Sequence, residues 1–241
     1  MLAKWLSERY VKLLNSFYYR VFSLDEVCKV LNEDKARIRV ILSELCKRGW
    51  TYRLKRGWYI VFSPYVMLIR GAWEGHIKQR VYLPLIIMVA TRLIEWLDGS
   101  LVSIAIFGSV ARGEARLNSD LDVLVIAENM PENYSERVRI AIDILDPLKD
   151  LKIWLWRNVG IYCNVNLLIL TTNEARRFQP IYLDMIHNSI IIYDRNDFLR
   201  NVLKRLSNKL KKLGAECIKL PDGRWFWRLK PEVKRGEVIE I

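Results

Sequence analysis

The chain has 241 residues, of which 51% are hydrophobic and 27% charged, with a net charge of +12. That is the composition of a globular protein of one or two domains, and it excludes a disordered chain, a collagen-like fibre and a disulfide-stapled miniprotein. The longest apolar run, Leu83 to Ala90, falls far short of the roughly 20 residues a membrane helix needs. Lys4, Glu8 and Arg9 break up the N-terminus where a signal peptide would be apolar, so the expectation is a cytoplasmic protein without membrane contact. Cys28, Cys46, Cys163 and Cys217 are widely spaced and only two histidines exist, which predicts reduced thiols and no zinc site.

The charge is unevenly spread. Residues 1–65 carry 13 Lys and Arg against 6 Asp and Glu, residues 66–130 carry 6 against 7, and residues 131–241 carry 20 against 14. A small segment this basic points to an anionic partner, nucleic acid first among them.

Residues 1–65 read as a first unit. Leu2 to Leu14 has helical apolar spacing. Ser23-Leu24-Asp25-Glu26 is a capping box for a short helix with Val27, Val30 and Leu31 on its buried stripe. Asn32 and Glu33 make a turn, and Asp34 caps the next helix, whose apolar face is Ile38, Ile41, Leu42 and Leu45. Gly49 ends it. Thr51 to Leu54 and Trp58 to Phe62 form strands around a tight basic turn, Lys55-Arg56-Gly57. This order resembles archaeal and bacterial winged helix-turn-helix domains over about 50 residues. The resemblance implies a last helix in the major groove and a wing on the backbone. Lys35, Arg37 and Arg39 would then read or position nucleic acid, and Arg53, Lys55 and Arg56 would grip phosphate.

Ser63-Pro64 marks a boundary, and residues 66–98 read as connecting helices, the second from about Tyr82 to Leu97 and closed by Asp98-Gly99. Leu101 to Phe107 has the length and residue types of a buried strand. Gly108-Ser109 follows, then Val110 to Arg116 in helical character; Leu117-Asn118-Ser119 turns the chain, and Asp120 to Ile126 reads as a second strand. Gly108 lets backbone approach a phosphate closely, and Ser109 adds a hydroxyl. Asp120 and Asp122, two apart on a strand, project from one face as a Mg²⁺ ion bridging triphosphate oxygens requires.

The spacing is G-S, ten residues, D-x-D. Phe107-Gly108-Ser109-Val110-Ala111-Arg112-Gly113 with Ser119-Asp120-Leu121-Asp122 resembles the nucleotidyltransferase superfamily that includes DNA polymerase beta, and within it the minimal branch of prokaryotes. The resemblance implies transfer of a nucleoside monophosphate from an NTP, with ATP the expected one, to an acceptor hydroxyl of nucleic acid or protein. Gly108 and Ser109 would hold phosphates, with Arg112 assisting, while Asp120 and Asp122 would bind Mg²⁺ or Mn²⁺. The branch includes antitoxins that adenylylate a partner toxin of the HEPN type, which would be a separate protein. Relatives often carry a third carboxylate on a later strand. Here the matching strand is Ile161 to Leu170 and the aligned position is Asn166, an amide that can ligate a metal but cannot serve as a base. Asp143, Asp146 and Glu174 are the alternative carboxylates. Asn166 leaves open a catalytically weak or inactive nucleotidyltransferase-fold regulator or antitoxin.

Pro131 to about Asn158 reads as helical. Thr171-Thr172-Asn173-Glu174 is a second capping box opening a short helix, Asn188 to Tyr193 a strand, and Asn196 to Leu213 a long basic helix stopped by Gly214. Cys217 to Leu220 and Trp225 to Lys230 flank a Pro221-Asp222-Gly223 turn, with Trp225 and Trp227 on one face. The order of elements in this tail also resembles archaeal nucleotidyltransferase-domain proteins. The expected fold is therefore α+β: a winged-helix domain (1–65), connecting helices (66–98), a nucleotidyltransferase mixed sheet flanked by helices (99–195) and a C-terminal helix and hairpin (196–241).

Overall fold

A computed structural model describes residues 2–220 and 225–230. The expected turn at Pro221-Asp222-Gly223 lies outside the described residues. The N-terminal unit is built from helix α1 (Lys4–Phe17), strand β1 (Phe22–Ser23), helices α2 (Leu24–Leu31) and α3 (Lys35–Lys47), and strands β2 (Thr51–Lys55) and β3 (Trp58–Val61). Local chemistry sets its corners. Ser23 Oγ accepts the Glu26 N–H while the Glu26 carboxylate accepts the Ser23 N–H at 2.8 Å, a reciprocal cap on α2. Asn32 turns left-handed to end α2, and the Asp34 carboxylate accepts the Ala36 and Arg37 N–H groups at the start of α3. The strands pair antiparallel in the order β1-β3-β2, with a bulge between Arg53 and Lys55.

The segment after Ser63-Pro64 is not a loose linker. It forms α4 (Val66–Ile69), two short 3-10 turns and α5 (Leu83–Leu97). Ile60 and Phe62 of the N-terminal unit share one hydrophobic cluster with α5 and with Ile104 and Val123 of the central sheet. Apolar residues sit on nearly every side of α5 because it is enclosed between the two.

That central sheet contains β4 (Leu101–Phe107), β5 (Leu121–Ala127), β6 (Val165–Thr171) and β7 (Ile190–Asp194) in the order β6-β5-β4-β7. Strand β5 pairs parallel with β6, whereas β4 pairs antiparallel with β5 and β7, so the sheet is mixed. Helix α6 (Gly108–Arg112) follows β4 directly; α7 (Tyr134–Leu145) and α8 (Lys149–Val159) join β5 to β6. The expected helical stretch after Pro131 is thus two helices, broken where Pro147 stands in the 3-10 turn Asp146–Leu148. Helices α9 (Thr172–Arg176) and α10 (Tyr182–Asn188) precede β7, and α11 (Phe198–Leu213) and the hairpin β8 (Glu216–Lys219) and β9 (Trp225–Arg228) close the described chain. Strand alternation divides the sheet into two faces. Leu121, Val123 and Val125 pack towards α5, while Leu124, Ile126 and Leu168 pack with α10 and α11.

Several elements differ from the sequence reading: the helical character expected from Val110 to Arg116 ends at Arg112, where left-handed Gly113 stops it. The strand expected from Ile161 begins at Val165, because Tyr162 N–H donates to Leu117 C=O and Asn164 C=O accepts Leu121 N–H in an irregular approach. Helix α10 was not anticipated at all. Helix α11 starts at Phe198, since Asn196 and Asp197 are left-handed and the Asp194 carboxylate caps Leu199 and Arg200. Trp227 packs: its ring stacks on His187 at 5.5 Å and its indole N–H donates to Leu183 C=O.

Candidate active site

Register brings the predicted residues together. In the antiparallel pair Asp122 lies opposite Phe107, the residue before Gly108, and in the parallel pair it lies beside Asn166. Asp120, Asp122 and Asn166 share the parity of Leu124 and Leu168, so all three project on the α10 face at the open end of the strands. Asn166 Nδ2 donates to Asp122 Oδ1 at 3.1 Å and to Asp120 Oδ2 at 3.3 Å, while the Asn164 N–H donates to Asp120 Oδ1 at 3.3 Å. Burial raises the Asp122 carboxyl above its ordinary range and the Asp120 charge raises it further, against the Asn166 hydrogen bond.

Gly108 is fixed by contact as well as by conformation. Its φ is +71°, and a Cβ there would lie 2.5 Å from Asp122 Oδ2. The turn at Gly108 therefore packs closely against the Asp122 carboxylate. Ser109 follows, its carbonyl accepting the Glu114 N–H.

Arg112 is more constrained than expected. Its guanidinium bonds Glu114 Oε2 at 2.8 Å and Asp184 Oδ2 at 3.0 Å, so two carboxylates already neutralise it beside the site. Asp184 was missed by the sequence reading, because it sits on the unanticipated α10 and meets Arg112 only through the fold. The alternative carboxylates do not complete a metal cluster. Glu174 is the cap of α9 and is ion-paired to Arg137, which hold it down to about 2. Asp146 pairs with Lys149, and Asp143 is exposed on α7. Among the described residues no group of three His, Cys, Asp or Glu is placed to share an ion.

The six candidate nucleic-acid residues, Lys35, Arg37, Arg39, Arg53, Lys55 and Arg56, separate into two sets. Lys35, Arg39, Arg53 and Arg56, joined by Lys47, line a groove of about 820 Å³ between α3 and the β2–β3 hairpin. Lys35 also pairs with Asp25 at 2.7 Å. Arg37 points elsewhere, over the Trp5 ring and towards Glu33, because it lies two residues round the helix from Lys35 and Arg39. Lys55 does not line that groove. The bulge after Arg53 re-aims it, so that its ammonium bonds Asn158 Oδ1 and lies over the Trp154 ring of α8.

Residues 90–179 match the family described as the nucleotidyltransferase domain. A Methanocaldococcus jannaschii protein named "Putative protein adenylyltransferase MJ1305" is 32% identical over 113 residues, which are 47% of this chain and 72% of that protein. Among solved structures, a toxin-antitoxin with AMP-PNP aligns with 15% identity and a TM-score of 0.33, over 52% of this chain and 90% of its own. A mutant of the toxin-antitoxin MntA-HpeT aligns with 14% identity and the same TM-score and coverage.

Proposed function

The chain belongs to the nucleotidyltransferase-domain family, and from that premise we propose that Gly108, Ser109, Asp120 and Asp122 move an NMP group from ATP to a hydroxyl of a protein acceptor. The observation that carries this is the contact between Gly108 and Asp122 across the β4–β5 register, with Asp120 and Asn166 on the same face. Two adjacent carboxylates, one of them raised by burial and by its neighbour, form a donor set that suits Mg²⁺ or Mn²⁺. Asp120 and Asp122 would hold the ion, and the Asn166 amide can turn its oxygen towards it. The bound ion supplies charge neutralisation at the phosphates. Gly108 and Ser109 present backbone amides to the phosphates, and the strands hold both halves of the site rigidly.

A protein acceptor is favoured by the surface beside Asn166. Tyr134, Val138 and Ile142, at four-residue spacing on α7, line a groove with Asn166 along β6, and Tyr134 is 76% and Ile142 59% exposed. An apolar wall of this kind suits a protein better than a polyanion. The relative named for protein adenylylation agrees, and a separate HEPN-type protein is one such partner. The N-terminal unit we read as a winged helix whose basic groove binds nucleic acid, with Lys35, Arg39, Arg53 and Arg56 facing phosphate.

A second reading, slow turnover in a regulator or antitoxin, is favoured by Asn166, which brings no third negative charge to the pair. The test is incubation with α-labelled NTPs, Mg²⁺ and cell lysate. Protease-sensitive label that disappears in Asp120→Ala/Asp122→Ala is the expected result. Label only in RNA would contradict the protein acceptor, and no label with intact Mg²⁺-dependent ATP binding would favour the second reading.

A further inference from the structure

The loop from Gly113 to Ser119 links the phosphate turn to the aspartate pair, and side chains from a distant segment bond its backbone at Ala115 and Arg116. Gln79 makes a reciprocal pair with Ala115: its Nε2 donates to Ala115 C=O at 2.8 Å and its Oε1 accepts Ala115 N–H at 3.0 Å. Buried Tyr82 donates its hydroxyl to Arg116 C=O at 3.0 Å. Lys78 donates to Arg112 C=O at 3.0 Å, and its aliphatic stem lies directly against Gly113, where an added Cβ would meet Cδ at 2.5 Å. Further bonds hold the loop from within and beside it: Gly113 N–H to Val110 C=O, Glu114 N–H to Ser109 C=O, Arg116 N–H to Ser119 Oγ, Ser119 N–H to Arg116 C=O and Tyr162 N–H to Leu117 C=O.

These three residues lie before residue 90, outside the stretch that matches the family. A side-chain amide bonded to both groups of one residue imitates a neighbouring strand, and it fixes backbone more tightly than a single bond does. We propose that Gln79 and Tyr82, with Lys78, are positioning residues for nucleotidyl transfer: they clamp the 113–119 loop and so set Asp120 and Asp122 relative to Gly108 and Ser109. The connecting segment thereby completes the site rather than merely spacing two units. The inference rests on the transferase reading.

The test uses the full chain and three variants. Gln79→Ala removes both bonds. Gln79→Glu keeps acceptance from Ala115 N–H and loses the donation. Tyr82→Phe removes one hydroxyl and keeps the ring. Three quantities are measured beside the melting temperature: hydrogen exchange at Ala115 N–H, the factor by which Mg²⁺ tightens binding of β,γ-imido-ATP, and the rate of pyrophosphate release from ATP. Gln79→Ala should expose the Ala115 amide and leave Mg²⁺-free nucleotide affinity within about threefold. It should also shrink the Mg²⁺ factor and slow pyrophosphate release by about 10- to 100-fold, as misplacement near 1 Å does. Gln79→Glu should fall between, and Tyr82→Phe should slow release with its melting temperature kept. Variants as fast as an active wild type overturn the clamp alone. Loss of rate only in step with loss of folded protein, with Tyr82→Phe silent, reduces the clamp to ordinary stability and overturns it as well. A wild type that releases no pyrophosphate with any acceptor overturns the transferase reading itself.

Discussion

Replacing Gly108 by alanine tests the joint between the two halves of the site. The added Cβ would stand 2.5 Å from Asp122 Oδ2, where ordinary contact begins near 3.4 Å, so the carboxylate must retreat by about 0.9 Å. Displacement of that size in a reacting assembly costs about 100-fold in rate. The left-handed backbone, φ +71°, adds a strain of about 1–2 kcal/mol, which lowers the melting temperature by about 2–8 °C in a chain of this length. Gly57→Ala provides the control, because Gly57 has φ +83° with nothing within 4 Å of its Cβ position. It carries the same backbone strain without the contact. Pyrophosphate release and thermal melting, measured on both variants, should show a similar loss of stability but a rate loss in Gly108→Ala alone. A Gly108→Ala protein that transfers within threefold of wild type would refute the argument that this contact builds the site.

Asp122→Asn should abolish transfer yet raise the melting temperature at neutral pH without metal. Its carboxyl is raised by burial and by Asp120, so the ionised form weakens the fold as pH climbs through that raised value, and the neutral amide removes the cost; melting curves at pH 4 and pH 7 should show the gain only at the higher pH. Asn166→Asp should lower metal-free stability, regain it with Mg²⁺ and speed pyrophosphate release by at least about tenfold, since a charged base replaces an amide between Asp120 and Asp122; an unchanged rate would show that the third position is not limiting. In the N-terminal groove, Arg39→Glu and Arg56→Glu should each weaken nucleic-acid binding and reduce its salt slope by about one, while Lys55→Ala leaves both unchanged because Lys55 is held by α8. Titrations at several salt concentrations distinguish these outcomes.

What could be read from the sequence was local. The caps at Ser23, Asp34 and Thr171 act within three residues, so their partners were visible in the string. The Phe107–Gly113 and Ser119–Asp122 motifs carried the site for the same reason, and strand parity placed Asn166 with the aspartates. What escaped depends on distant partners. Asp184 meets Arg112 only because α10 folds over the end of β4, and α10 itself is a seven-residue helix with no capping side chain to announce it. Lys55 reads as an ordinary wing lysine until the bulge after Arg53 turns it towards Asn158. Gln79 and Tyr82 lie in a segment with no motif, and their role emerges only from the backbone groups they satisfy 34 to 36 residues later.

The central claim is that this site transfers the nucleotidyl and not the terminal phosphoryl group. Parallel reactions with α-labelled and γ-labelled ATP, each beside Asp120→Ala/Asp122→Ala, decide it. Acceptor labelled from the α position alone, with γ label recovered in pyrophosphate and both signals lost in the double variant, is the predicted result. Acceptor labelled from the γ position, or α label that persists without the two aspartates, would contradict the account.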